Sequence, residues 1–235
     1  TLSTPHTDAA ESSDIVHQVY EGGLKIWECA RSLAAFVATH VAEWKAADAP
    51  RPLRVLELGC GHGLAGLAAL HGGADVVHFC DFVCLLPLPS LTFFSSLFTC
   101  VHQQNEEVLR TVTLANVAQN SPGRLGDVRL FAGDWTAVAA LLAREGLCYD
   151  IVLGSDTVYC PASLVPLLTV TRAALDPAHA PHTAFFTGRT YYFGVGGGTR
   201  DLCRTLATTF PDLAWSRAEH FTRGVERETI AVTFA

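Results

Sequence analysis

Leu56-Glu57-Leu58-Gly59-Cys60-Gly61-His62-Gly63 is the stretch that decides the fold of this chain. Leu53, Val55, Leu56 and Leu58 mark a buried strand, with the acidic Glu57 near its end. Gly59, Gly61 and Gly63 then fall at every second position, and Leu64 to Leu70 reads as a helix. Strand, glycine-rich turn and helix bring backbone against a nucleotide-like ligand at the crevice of a doubly wound α/β sheet. Glycine serves because it reaches left-handed backbone angles and has no Cβ to hold a ligand away. The spacing is G-x-G-x-G, not the G-x-G-x-x-G of dinucleotide enzymes, which favours S-adenosylmethionine over NAD. The plainer alternative is a strand–helix turn that is merely rich in glycine.

The alternation continues on both sides of this turn. A helix is predicted over 27–46, with Leu33, Phe36, Val37, Val41 and Trp44 at core-facing spacing. Strands are predicted at 53–58, 75–80, 128–132, 149–154 and 183–187. Helices from Asn105, over 137–145, 163–175 and 200–210, alternate with them. Residues 213–221 and 228–234 read as two strands joined near Arg223-Gly224. Alternating β and α with a terminal hairpin is the order of a class I (seven-β-strand, Rossmann-like) methyltransferase, an α/β fold with a central mostly parallel sheet and a C-terminal antiparallel hairpin. The polar residues 1–14 are expected to be a disordered tail, and 15–235 one domain.

Composition narrows the function. The 235 residues are 49% hydrophobic and 17% charged, enough for a sizeable core. A net charge of −7 argues against a nucleic-acid-binding face, so no direct nucleic-acid partner is expected. The eight cysteines form no C-x-x-C pair and the ten histidines lack ligand spacing. These are expected to be free thiols in a reducing compartment, without a metal site. No basic-then-apolar signal segment opens the chain. Methionine is absent even at position 1, so the chain reads as a fragment or an incomplete gene model.

Val83 to Val101 carries no charge over nineteen residues, a transmembrane length. It nevertheless interrupts a βαβ unit, and Pro87 and Pro89 make it a poor helix. Leu, Phe, Pro and Ser, which pyrimidine-rich codons encode, dominate it. Val83 can begin with GT and Gln104 can end with AG. Our hypothesis is that about 83–104 is a translated intron, because joining Phe82 to Asn105 restores a connection of ordinary length. Native peptides spanning that junction would support it; abundant native peptides from within the segment would sink it. A membrane-touching or partner-binding loop is the alternative; no membrane partner is expected.

Four loops at strand C-termini would line the ligand crevice. Glu57, Gly59, Gly61 and Gly63 form the first. Asp81, flanked by Cys80 and Phe82, ends the second strand, where a carboxylate can accept from both ribose hydroxyls; an acidic helix-start residue is the alternative. Gly133-Asp134-Trp135 follows the third strand, with a carboxylate for the adenine amino group and an indole to pack on the ring or in the core. Ser155-Asp156-Thr157-Val158-Tyr159 follows the fourth, where the methyl acceptor should meet the cationic sulfonium, which favours carboxylate and aromatic neighbours.

Three stretches make the resemblance specific. Val19-Tyr-Glu-Gly-Gly-Leu-Lys-Ile-Trp-Glu-Cys29, Thr111-Val-Thr-Leu-Ala-Asn-Val117 and Tyr192-Phe-Gly-Val-Gly-Gly-Gly198 resemble signatures of the eukaryotic protein-histidine methyltransferases. That branch of the seven-β-strand methyltransferases also includes family-16 protein-lysine enzymes. The resemblance runs from about Asp14 to Phe234, broken only by the odd segment. The Y-F-G-V-G-G-G loop is its most discriminating part. Ala115 replaces a usual proline, and Asp156 stands where Glu is also found.

The resemblance implies methyl transfer to a histidine of a large-subunit ribosomal protein, by a monomer in cytoplasm and nucleus. It also implies a lid over the cofactor formed by Ile26, Trp27, Glu28, Cys29 and Ala30, although Trp27 could equally anchor the first helix. Asp156 would hydrogen-bond the acceptor imidazole, Tyr159 and Tyr192 would wall the acceptor channel, and the Gly196–Gly198 run would admit a substrate backbone. The rivals are a related protein-lysine enzyme and a non-catalytic binding module of the same fold.

Overall fold

A computed structural model describes residues 24–47, 49–82, 98–100, 103–179 and 181–235. The 1–14 tail, the start of the Val19–Cys29 signature and most of the uncharged segment lie outside these residues. In chain order the elements are α1 (Glu28–Ala47), β1 (Arg54–Leu58), α2 (Leu64–His71), β2 (Val76–Phe82), β3 (Phe98–Cys100) and α3 (Gln103–Val108). A π-helical turn (Leu109–Thr113) joins α3 to α4 (Leu114–Asn120). Then come β4 (Val128–Gly133), α5 (Trp135–Glu145), β5 (Ile151–Ser155), α6 (Leu164–Ala174), β6 (Thr183–Arg189), α7 (Thr199–Thr209), β7 (Leu213–Phe221) and β8 (Arg227–Phe234).

One sheet has the order β3-β4-β2-β1-β5-β6-β8-β7. Pairing is parallel from β3 to β6, and β8 runs antiparallel to both β6 and β7. Without the edge strand β3, this is the seven-strand class I methyltransferase sheet that the alternation predicted. The chain reverses its direction of travel across the sheet at β1, which lies between β2 and β5. A ligand crevice opens outside the strand C-termini at such a switch point.

Both faces of the sheet are covered, as continuous apolar strands require. Leu33, Val37 and Val41 of α1, Ala65 and Leu70 of α2, and Val117 of α4 pack on one face with Val55, Val77 and Phe79. Val138 and Leu142 of α5, Leu164 and Leu168 of α6, and Leu202 and Leu206 of α7 pack on the other with Leu56, Leu58 and Phe186. Each large side chain so buried contributes about 1.5–3 kcal/mol before its entropy cost.

Local differences from the sequence reading have local causes. β2 runs on to Phe82, because β4 continues to pair with it through Phe82 and Gly133. The helix expected from 137 starts at Trp135, because Asp134 caps it by accepting the Thr136 N–H at 2.8 Å. Tyr149, expected in the fourth strand, instead bridges to Leu175 and shares a 2.7 Å hydrogen bond with His78. Among the described residues no helix is long and apolar enough to cross a membrane.

Candidate active site

The turn after β1 is held from below and from the side. Gly59, Gly61 and Gly63 take φ values of 65°, 47° and 73°, so each of the three is in the left-handed region. Glu57, fully buried on β1, accepts the Gly66 N–H at 2.8 Å and ties the start of α2 to the strand. Burial raises the Glu57 carboxyl to about 8, against the backbone hydrogen bonds from Gly66 and Ala65. This residue, expected at the cofactor, therefore braces the turn from inside the protein. Asp81 accepts the Gly61 N–H at 2.8 Å through Oδ2 and is buried beside the turn, at the penultimate position of β2. Cys80 is buried in the core behind it, so its contribution is the carbonyl that accepts the Cys60 N–H at 3.0 Å.

The turn after β5 meets the turn after β1. A Cβ on Gly59 would stand 2.4 Å from Thr157 Cγ2, a contact only glycine permits. Ser155 closes β5 opposite Thr187. Asp156 follows with φ 52°, the single non-glycine residue of positive φ among the described residues, and strain of this kind gathers at functional sites. Its Oδ1 accepts the Tyr192 hydroxyl at 2.5 Å and its Oδ2 accepts the Cys29 N–H at 3.2 Å. Burial raises the Asp156 carboxyl, opposed by those two hydrogen bonds. Burial and the Asp156 charge push the Tyr192 hydroxyl well up, which keeps it a donor. The ring of Tyr192 meets Tyr159 edge-on, centroids 6.4 Å apart.

The Y-F-G-V-G-G-G loop delivers Tyr192 to this place. Gly194, Gly196, Gly197 and Gly198 all have positive φ. A Cβ on Gly197 would lie 2.3 Å from the Tyr159 carbonyl oxygen, and one on Gly198 would lie 2.5 Å from that of Thr190. The close approach expected of a substrate backbone is thus filled by the protein's own chain. The Gly198 N–H donates to Val158 O at 2.8 Å, and the Tyr192 N–H to Gly197 O at 3.0 Å.

The remaining expected residues divide. Ile26 and Trp27 lie half-buried just before α1, with Lys25 Nζ 4.6 Å from the Trp27 ring centroid. Glu28 is exposed, Cys29 buried and Ala30 half-buried in the first turn of α1. Gly133 ends β4 opposite Phe82, the last residue of β2. Trp135 is buried in the core, which favours packing over an indole stacked on a ligand. Sequence reasoning gave no role to Thr113 and Asn116, whose side chains reach the glycine turn, nor to Thr157. Thr157 Oγ1 is buried with no hydrogen-bond partner in the described protein. An orphaned hydroxyl, a glycine turn and a buried carboxylate at one switch point are a donor set that fits a polar nucleoside ligand.

A family model described as lysine methyltransferase matches residues 13–85. The histidine protein methyltransferase 1 homolog of Bos taurus is 38% identical over 194 residues, covering 80% of this chain and 48% of that protein. The homolog of Dictyostelium discoideum is 32% identical over 190 residues, covering 81% and 50%. The chain spans about half the length of these curated relatives. The solved magnesium protoporphyrin IX methyltransferase of Synechocystis superposes with a TM-score of 0.56 at 15% identity, covering 88% of this chain and 83% of that one. The chain is thus similar to the histidine protein methyltransferase 1 homologs over four-fifths of its length, and it has the fold of the class I S-adenosylmethionine-dependent methyltransferases.

Proposed function

We propose that this chain is a protein-histidine methyltransferase using S-adenosylmethionine, with a large-subunit ribosomal protein as substrate, acting as a monomer in cytoplasm and nucleus. The observation that carries the reading is the meeting of Asp156, Tyr192 and the α1 N-terminus beside the Gly59–Gly63 turn. The likeness to the histidine protein methyltransferase 1 homologs supports histidine as the acceptor.

Bound S-adenosylmethionine supplies an electrophilic methyl group on a cationic sulfur. The turn 59–63, Asp81 and the orphaned Thr157 hydroxyl would hold it, with Asp134 near the end of β4. The chain's own task at the acceptor is to present a neutral imidazole with its lone pair aligned, which is chiefly positioning. Asp156 uses two of its roughly four acceptor sites on Tyr192 and Cys29. The others can take the N–H of an imidazole and stabilise its growing positive charge. Tyr159 and Tyr192 add an aromatic wall that favours a cation.

The test incubates the chain with labelled S-adenosylmethionine and unmodified ribosomal proteins and maps the product by mass spectrometry. A methylated histidine is expected. Methyllysine would move the assignment to a protein-lysine enzyme, the reading favoured by the description of the family model over residues 13–85. No binding of S-adenosylmethionine would leave a binding module of methyltransferase fold.

A further inference from the structure

We infer that the helical segment 103–120 is a brace for the glycine turn, with Thr113 and Asn116 as positioning residues for S-adenosylmethionine. This rests on the reading that the turn holds that cofactor. Thr113 Oγ1 donates to the Gly61 carbonyl at 2.6 Å, and Asn116 Nδ2 donates to the His62 carbonyl at 3.1 Å. Both side chains are fully buried. Asp81 accepts the Gly61 N–H, so both backbone polar groups of this one residue are fixed. Thr113 Cγ2 would stand 3.1 Å from a Cβ on Gly63, and Thr113 Oγ1 is 4.0 Å from Cys60 Sγ. One threonine therefore touches three residues of the turn.

The need for a brace follows from the glycines. Three glycines in five residues give the free turn more conformations than bulkier residues would, and most of these must be lost for a ligand to meet one fixed surface. Two side-chain donors on neighbouring carbonyls remove that freedom before binding. The segment carries its π turn at Leu109–Thr113, ending on the bracing threonine. Single π turns inside helices gather at functional sites. The wider turn leaves the Val108 carbonyl 3.5 Å from Thr113 Oγ1, against 2.6 Å for the Gly61 carbonyl, so the single hydroxyl proton goes to the glycine turn.

The experiment measures S-adenosylmethionine binding by calorimetry, KM against kcat, and hydrogen exchange at the amides of Gly61, His62 and Gly63. It compares the full chain with Thr113→Ser, Thr113→Val and Asn116→Ala. Thr113→Val is expected to weaken binding about tenfold, the scale of one buried hydrogen bond. The loss should appear in KM rather than kcat, with faster exchange in the turn. Thr113→Ser, which keeps the donor, should stay near the parent chain. A role in packing alone predicts the opposite order, since valine keeps the volume and the methyl. Valine matching serine, or unchanged exchange while the parent chain binds, overturns the brace. A parent chain that does not bind S-adenosylmethionine overturns the cofactor assignment, and this role with it.

Discussion

Asp156 Oδ2 accepts the backbone N–H of Cys29 at 3.2 Å, so α1 is capped by a residue 127 positions away. The same carboxylate accepts the Tyr192 hydroxyl through its other oxygen. One side chain after β5 thus fixes the start of α1 and the loop after β6 together. A structural role and a chemical one coincide at this residue, and substitution can separate them.

Asp156→Ala should cost about 1 kcal/mol for the lost cap, and more for the buried Tyr192 hydroxyl left without its acceptor. Methyl transfer should fall on the order of 10²-fold. Asp156→Asn keeps one acceptor, for Cys29, turns an amide N–H toward Tyr192 and tolerates the positive φ, so its urea midpoint should fall less than that of Asp156→Ala while turnover falls. Full turnover in Asp156→Ala with cofactor binding intact would remove the residue from the chemistry.

Gly197→Ala and Gly194→Ala form a matched pair. Both glycines have positive φ, but a Cβ at 197 would meet the Tyr159 carbonyl at 2.3 Å, while a Cβ at 194 meets nothing within 4 Å. Gly194→Ala should cost only the backbone strain of about 1–2 kcal/mol. Gly197→Ala should cost more and displace Tyr159, lowering turnover as well as the thermal midpoint. Equal losses in the two would show that the contact with Tyr159 is unimportant.

Gly66→Ala tests the anchor under the turn. Alanine in a helix interior gains about 1 kcal/mol over glycine. Here its Cβ would lie 2.3 Å from Phe79 Cε1 and 2.8 Å from Glu57 Oε2, both buried. Overpacking of 1–3 kcal/mol should win, so the variant is expected to be less stable than the parent in denaturant melts. A more stable variant would mean that Glu57 and Phe79 yield easily.

Stability should depend on pH through Glu57 and His78, with opposite signs. The Glu57 carboxyl is raised by burial from 4.5 to about 8, so between these values the folded state holds the extra proton. Stability then falls as pH rises, by at most about 1.4 kcal/mol per unit. Burial and then Arg129 and Arg54 lower the His78 imidazole from 6.5 to about 4. Between those values the unfolded state holds the extra proton, and stability rises with pH. The two offset each other below pH 6.5, leaving a decline from about 6.5 to 8 that Glu57→Gln should abolish. Melts across this range that coincide for the parent and Glu57→Gln would contradict it.

A chain with Phe82 joined to Asn105 should keep its sheet. β3 is an edge strand paired to β4 alone among the described residues, so its removal leaves the other seven strands paired as they are. Circular dichroism and a cooperative melt would check this. A shortened chain that fails to fold would show that the segment is part of the domain.

The alternation of strand and helix and the glycines at 59, 61 and 63 were legible in the sequence, whereas Asp134, read there as an adenine ligand, proved to cap α5. The legible features depend on neighbours within a few residues: apolar periodicity and a backbone angle only glycine takes freely. Asp156, Tyr159 and Tyr192 could be named from their motifs, but not the bonds that Asp156 and Tyr192 make. The tertiary structure decided that Glu57 faces inward under α2, that Cys80 and Trp135 belong to the core, and that Gly197 and Gly198 admit the protein's own backbone. It also decided that Asp156 caps a helix from across the sheet and that Thr113 and Asn116 hold the turn. The helix cap, the brace on the turn and the Gly197 contact join residues about 40 to 130 positions apart, and no local pattern encodes which side chain will complete a peptide group on another strand. That pairing is set only when the sheet order brings β1, β2 and β5 side by side.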